Sequence, residues 1–140
     1  MLNDWLKKRA LKNQGNGASR TFVVSVGNQV VGYYALASGS VERMESTKSI
    51  ARNMPEPIPV MVLGRLAIDL SVQGQKLGGA LLKDALLRTL SVAENVGIRA
   101  VLVHAISEEA KRFYLQYGFQ VSPIDPMTLL LPIRHIEGLL

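Results

Sequence analysis

The sequence predicts a mixed α/β fold, with a twisted central sheet flanked by helices. Two segments rich in valine and tyrosine are separated by Gly27-Asn28, which is typical of an antiparallel hairpin. In the middle of the chain an apolar segment, a long amphipathic segment and a second apolar segment follow one another, as in a strand–helix–strand unit. An antiparallel hairpin combined with a strand–helix–strand unit indicates a three-layer mixed sheet.

The first half of the chain begins with a basic helix. Asn3 can cap it, and its apolar residues recur at helical spacing until Gly15-Asn16-Gly17. Residues 42–59 turn charged and then proline-rich, so we expect a surface excursion with a short helix near 46–52. Because proline lacks an N–H, we expect Pro55, Pro57 and Pro59 to stay outside the central sheet.

The remaining elements follow from apolar periodicity and from helix-capping residues. Ser107 can cap a helix that Gly118 stops, and an earlier long helix is expected to close near Gly97. The predicted strands are 21–26, 29–37, 60–68, 99–105, 119–121 and 128–133, and the predicted long helix is 77–93.

The composition bounds the domain organisation. A chain of 140 residues with 48% hydrophobic residues is sufficient for a single domain, so we expect one domain over 1–140. Within it, 1–19 form a basic helix and loop, 20–133 the core, and 134–140 a tail. Without cysteine and with two histidines, we expect neither a disulfide nor a metal site. No apolar run suits a membrane helix and no signal peptide is evident, so we expect a cytoplasmic protein.

Positive charge is concentrated at the amino terminus. The chain carries a net charge of +5, and five basic residues within 1–20 oppose only Asp4. Such a field favours a polyanionic partner, such as nucleic acid or an acidic protein segment. The alternative is a solvated helix face without a partner.

Residues 66–82 run from a strand through a glycine-bearing turn into a helix. A turn of this kind aims backbone N–H groups at one point, and the helix dipole adds positive potential there, which suits a pyrophosphate. The segment contains neither G-x-x-x-x-G-K-[ST] nor G-x-G-x-x-G, which excludes those two phosphate motifs. Alternatively, its glycines serve only close packing.

This segment resembles the pyrophosphate loop of the GNAT acetyltransferase superfamily, Q/R-x-x-G-x-G/A. Gln73 and Gly78 match that pattern, whereas Lys76 stands where the family usually has glycine. The resemblance implies acetyl-CoA as the co-substrate, with the pantetheine arm along the strand and an N–H near Ile68 polarising the acetyl carbonyl. The cofactor-binding residues that it implies are Leu66, Ala67, Ile68, Gln73, Gly74, Gln75, Lys76, Leu77, Gly78, Gly79 and Phe113.

A second motif resembles the same family. Residues 110–119 match A-x-x-F-Y-x-x-x-G-F, with Phe113 and Tyr114 in the paired aromatic positions. The match implies that Tyr114 is the general acid that protonates the departing thiolate. A tyrosine here could otherwise be a half-buried core residue. We expect the other tyrosines, Tyr33, Tyr34 and Tyr117, to serve packing.

Nearly the whole chain resembles the GNAT toxins of bacterial toxin–antitoxin modules, through Leu2-Asn3-Asp4-Trp5-Leu6, Gly64-Arg65-Leu66-Ala67 and Val103-His104-Ala105. The resemblance implies acetylation of the amino group of aminoacyl-tRNA, which blocks translation. It also implies a ribbon-helix-helix antitoxin, DNA contact only through the antitoxin complex, and a possible homodimer. Those toxins begin with a strand and a helix that we do not expect here. The residues that would contact tRNA or antitoxin are Lys7, Lys8, Arg9 and Lys12.

No general base is evident from the sequence. His104 could serve as a base, but we expect it to be a strand histidine bonded into the core, and we expect Glu108 and Glu109 to be helix-start charges. An α-amino group titrates near 8, whereas a lysine titrates near 10.4, so an aminoacyl ester suits a site without a strong base. The alternatives are an acetyltransferase of a small amine or protein amino group, and a weakly active module that acts through antitoxin and DNA.

The departure at Lys76 gives a testable prediction. Lys76→Gly restores the loop pattern of the family, so we expect acetyl-CoA affinity that is equal or better, measured by calorimetry. A roughly tenfold loss of affinity, about 1.4 kcal/mol, would instead identify Lys76 as a phosphate ligand.

Overall fold

A computed structural model describes residues 19–26, 29–68 and 77–139. Its strands and helices are β1 (Arg20–Val26), β2 (Gln29–Val41), α1 (Lys48–Ala51), β3 (Ile58–Ile68), α2 (Leu77–Val96), β4 (Ala100–His104), α3 (Glu108–Leu115), β5 (Gln120–Val121), β6 (Thr128–Pro132) and α4 (Ile133–Leu139). A 3-10 turn, Arg43–Glu45, lies between β2 and α1. The predicted amino-terminal helix lies outside the described residues. Among the described helices, none is long and apolar enough to cross a membrane.

The strands form one six-stranded sheet in the order β1-β2-β3-β4-β6-β5. β1 and β2 pair antiparallel, which confirms the predicted hairpin, and β6 pairs antiparallel with both β4 and β5. The neighbours β3 and β4 are joined through α2, the type of long crossover that parallel strands require. The mixed α/β sheet predicted from the sequence is therefore confirmed.

The chain divides into two compact units. The first takes the chain up to Ala37 together with Leu63–Leu87. In this unit Tyr34 is fully buried, stacks on Phe22 with ring centroids 5.3 Å apart, and donates a hydrogen bond to the Asp84 carboxylate. The predicted apolar face of α2 is buried here, at Leu81, Leu82, Ala85 and Leu86.

The second unit takes Ser38–Val62 together with Arg88–Leu140. Its hydrophobic core combines α1 with four strands. Ile50 of α1 is fully buried there, in one cluster with residues of β2, β3, β4 and β6: Val41, Ile58, Val60, Ala100, Leu102 and Leu130. Residues 42–59, predicted as a surface excursion with a short helix, thus contribute that helix to the core.

Polar contacts attach this excursion to the chain around β5. The Thr47 hydroxyl donates to Gln120 Oε1 at 2.6 Å, and the Ser122 hydroxyl donates to the Glu45 carbonyl at 2.7 Å. The Arg99 side chain donates to the carbonyls of Ile50 at 2.9 Å and Ser49 at 3.2 Å. The two bonds from Arg99 satisfy carbonyls of α1 that a one-turn helix leaves unpaired.

The predicted capping residues of α2 and α3 have the expected roles. The Ser107 hydroxyl accepts from the Ala110 N–H at 3.0 Å, and Glu108 and Glu109 lie in the first turn of α3. Gly97 and Gly118 follow α2 and α3 with φ of 69° and 88°, a conformation that favours glycine.

Two expectations from the sequence are corrected. Ile58 and Pro59 belong to β3, although proline was expected to stay outside the sheet. Pro59 needs no N–H there, because it contributes its carbonyl, which accepts from the Arg99 N–H at 2.9 Å. In addition, residues 134–140 were expected as a tail, but α4 occupies most of this segment and fully buries Ile136.

The contacts of Arg99 generate a stability prediction. Arg99→Ala removes the donors for two carbonyls of the second unit, and each hydrogen bond to a charged group contributes roughly 1.5–3 kcal/mol. We expect a loss of at least about 1.5 kcal/mol in the free energy of unfolding, measured by urea titration. Arg52→Ala, at an exposed position just after α1, is the control and should change it by less than about 0.5 kcal/mol. Equal effects of the two substitutions would contradict the role of Arg99.

Candidate active site

Apart from Phe113, which lies on α3 in the second unit, the described residues of the predicted cofactor site lie at two places in the first unit. Leu66, Ala67 and Ile68 are the last three residues of β3, and Leu66 is half-buried. Leu77, Gly78 and Gly79 form the first turn of α2. The four residues between them that were assigned to the site, Gln73, Gly74, Gln75 and Lys76, lie outside the described residues.

This strand and helix suit a pyrophosphate. α2 is 20 residues long, and the N–H groups of its first turn have no partner within the helix. They lie at the positive end of the helix dipole, where an anion is stabilised. Gly78 and Gly79 place no side chain in that turn. The donor set present therefore fits the diphosphate of an acyl-CoA.

Tyr114 lies on α3 in the second unit and is only 8% exposed. Its ring packs edge-on against Phe113, with centroids 5.2 Å apart, and against Phe119 at 5.3 Å. Burial raises the pKa of the Tyr114 phenol above its usual value. The phenol is therefore protonated throughout the physiological pH range and is available as a proton donor.

A cavity of about 270 Å³ lies in the second unit. Val60, Val62 and Leu102 give it an apolar wall, and Glu45, His104 and Asp125 contribute titratable groups. The pairing of β4 with β6 places His104 directly opposite Thr128. The imidazole Nδ1 of His104 lies 3.0 Å from the Thr128 hydroxyl, which donates to Asp125 Oδ2 at 2.9 Å.

The turn before β6 fixes Asp125. Its Oδ1 accepts from the Met127 N–H at 2.9 Å, and its backbone carbonyl accepts from the Thr128 N–H at 3.1 Å. The Met127 N–H lowers the pKa of Asp125 most, followed by the Thr128 hydroxyl and then the charge of His104. Asp125 is consequently a carboxylate at neutral pH and only accepts hydrogen bonds.

The expectation that His104 is bonded into the core is wrong. Its side chain is exposed at the end of β4, and its hydrogen-bond partner is the Thr128 hydroxyl on the neighbouring strand. Sequence reasoning also missed Asp125 and Thr128. Their signal is the turn-forming Asp125-Pro126 immediately before a strand, in which an aspartate side chain can accept a backbone N–H two residues on.

The other predicted sites have mixed outcomes. Glu108 and Glu109 lie in the first turn of α3, as expected for helix-start charges. In the part of the chain that the structure describes, no group of three metal-ligating side chains occurs. The predicted tRNA or antitoxin contacts, Lys7, Lys8, Arg9 and Lys12, fall outside the described residues.

Comparisons with known proteins extend these observations. Residues 17–121 match the family model described as an acetyltransferase (GNAT) domain. A tRNA-acetylating toxin of Mycobacterium tuberculosis is 47% identical over 139 residues, covering 99% of this chain and 84% of the toxin.

Solved structures match over the same length. AtaT complexed with acetyl-methionyl-tRNAfMet has a TM-score of 0.88 at 33% identity, covering 99% of this chain and 85% of AtaT. A mutant AtaT toxin bound to acetyl-CoA and to the C-terminus of the antitoxin AtaR has a TM-score of 0.82 at 33% identity, covering 99% and 82% of the two chains.

Proposed function

The chain belongs to the GNAT acetyltransferase family, and on this premise we propose that it transfers the acetyl group of acetyl-CoA to the α-amino group of aminoacyl-tRNA. Acetylation of that amine blocks translation, so the protein acts as the toxin of a toxin–antitoxin module and requires an antitoxin partner. Because its substrate is charged tRNA, we place the protein in the cytoplasm.

One observation carries the proposal: the 47% identity to a tRNA-acetylating toxin extends over 99% of this chain. A match of this extent reaches beyond residues 17–121, which the acetyltransferase family model covers. The structural similarity to AtaT complexed with acetyl-methionyl-tRNAfMet supports the same class of acceptor. The concentration of basic residues within 1–20 is consistent with a nucleic-acid substrate.

Each step of the proposed reaction is assigned to residues of this chain. The backbone of Leu66, Ala67 and Ile68 holds the pantetheine arm, and the first turn of α2 with the loop before it holds the diphosphate. Acetyl-CoA, when bound, supplies the thioester. The N–H near Ile68 polarises its acetyl carbonyl, and Tyr114 gives its phenolic proton to the departing sulfur as the C–S bond breaks. The proton that the amine nitrogen loses when its bond to the acetyl carbon has formed restores the Tyr114 phenol.

A labelling experiment tests the proposed function. The protein is incubated with labelled acetyl-CoA and total aminoacyl-tRNA, with deacylated tRNA and a lysine-containing peptide as parallel acceptors. We expect label in the aminoacyl-tRNA alone, in a bond that survives release of the amino acid from tRNA by mild base. Label in the peptide would instead support a protein acetyltransferase.

The basic amino terminus gives a prediction about tRNA binding. We expect the triple variant Lys7→Glu, Lys8→Glu, Lys12→Glu to weaken tRNA binding and to reduce its salt dependence by about one unit of slope per lost phosphate contact, measured by filter binding across salt concentrations. Acetyl-CoA affinity should not change. The control triple, Lys48→Glu, Lys83→Glu, Arg134→Glu, alters exposed residues and makes the same change in net charge. Identical salt slopes for both triples would show that the amino-terminal residues have no specific role.

Tyr114→Phe tests the proton donor. The substitution removes one hydroxyl and keeps the ring that packs on Phe113 and Phe119, so the fold should persist. We expect kcat to fall by roughly 10²- to 10⁴-fold, while acetyl-CoA affinity changes by less than about threefold. Toxicity in cells should disappear. If Tyr114 serves only packing, stability will fall slightly and turnover per folded molecule will be unchanged.

A further inference from the structure

The bonds at the end of β4 determine where the protons of His104 lie. Asp125 is a carboxylate that accepts the Thr128 hydroxyl proton, so this hydroxyl has no proton left to give to the imidazole. Across the 3.0 Å contact, Thr128 must therefore accept from His104, which places the proton of the neutral ring on Nδ1. The other nitrogen, Nε2, then carries a lone pair.

Nε2 of His104 is accessible to a ligand. The side chain is exposed and lines the 270 Å³ cavity, and no described residue provides a hydrogen bond to Nε2. A cavity of this size has room for an amino-acid residue, and its wall at Val60, Val62 and Leu102 suits an apolar side chain. Glu45 and Asp125 are the other titratable groups that line the cavity, and their acidic side chains favour a positively charged ligand there.

We propose that the chain Asp125–Thr128–His104 is the proton acceptor for the amino group that becomes acetylated, an inference that rests on the proposed function. His104 Nε2 takes one proton from the ammonium of the aminoacyl ester. An N–H bond of the ammonium breaks, an N–H bond forms on the imidazole, and the amine keeps the electron pair with which it attacks. The positive charge passes to the imidazolium, beside the carboxylates of Asp125 and Glu45, and the proton then leaves to water.

The acidity of the acceptor suits this transfer. An α-amino group titrates near 8, and the adjacent ester lowers its pKa further, so the aminoacyl ammonium gives up its proton readily. A lysine ammonium, which titrates near 10.4, holds its proton more than two pKa units more tightly. The same residues thus favour an aminoacyl ester over a lysine side chain.

His104→Gln tests the proposal, with His135→Gln, at an exposed histidine of α4, as the matched control. Transfer to aminoacyl-tRNA is measured as kcat/KM from pH 6 to pH 8.5. We expect His104→Gln to lower it by about 10²-fold at pH 6.5, the lower end of the range for general base catalysis. The loss should shrink as pH rises, because the free amine then forms without help. His135→Gln should follow the unchanged protein throughout.

In the proposal, Asp125 and Thr128 position the imidazole of His104. The experiment that tests them therefore measures the tautomer of this ring. Nitrogen NMR of the ¹⁵N-histidine protein should show His104 protonated on Nδ1 in the neutral ring, with Nε2 unprotonated. Thr128→Val, and Asp125→Asn at the exposed position, should shift this ring toward the other tautomer and reduce kcat/KM in the same direction as His104→Gln. The Asp125 variant keeps the measurement decisive if Thr128→Val, at a buried position, fails to fold.

The outcomes separate the two claims. Absence of transfer by the unchanged protein overturns the proposed function itself. Transfer that His104→Gln leaves intact at every pH overturns only the role of His104. A neutral ring protonated on Nε2 overturns the proton arrangement, whatever the rates.

Discussion

The antiparallel pairing of β4 with β6 is the constraint on which the second unit depends. All residues of β4 before His104 are buried, and their partners on β6, from Pro132 to Leu129, are buried too. Because successive side chains of a strand point to opposite faces, both faces of β4 are covered. Burying a valine or leucine contributes roughly 1.5–3 kcal/mol, so a slip of register would cost far more than the polar contacts at the end of the strand contribute. Apolar burial therefore sets His104 opposite Thr128.

Those elements that depend on local rules could be predicted from the sequence. The hairpin around Gly27-Asn28, the Ser107 cap and the glycine after α3 each require only residues within a few positions of one another, and all appear where expected. Pro59 was misjudged because the rule against proline in a sheet concerns its missing N–H, whereas Arg99, just before β4, bonds only to its carbonyl. The last helix was not predicted because it is held by the burial of Ile136. Hydrophobic periodicity over so short a segment does not reveal which side chain is buried.

The residues of the candidate site also divide into those that a local sequence motif predicts and those that depend on tertiary contacts. Tyr114 could be assigned because the paired aromatic motif is contiguous, and its role as a proton donor remains a prediction. The environment of His104 could not be predicted, since its hydrogen-bond partner, Thr128, is 24 residues away and becomes a neighbour only through the register of β4 and β6. Sequence reasoning considered the histidine by itself, and an isolated strand histidine is more often buried. The two environments are opposite: burial among aromatic rings raises the pKa of the Tyr114 phenol, while the His104 imidazole is exposed beside a cavity.

A pair with these properties selects its acceptor through acidity as well as shape. At pH 7 about one in ten α-amino groups with a pKa near 8 is already neutral, against about one in 2,500 lysine side chains near 10.4. This roughly 250-fold difference arises before any contact with the protein. A histidine base adds to the faster reaction because it removes a proton that the aminoacyl ammonium holds only weakly, whereas a lysine ammonium holds its proton more than two pKa units more tightly. In the proposed site, discrimination against lysine thus begins with the acidity of the acceptor, and the cavity beside His104 need only distinguish one amino-acid side chain from another.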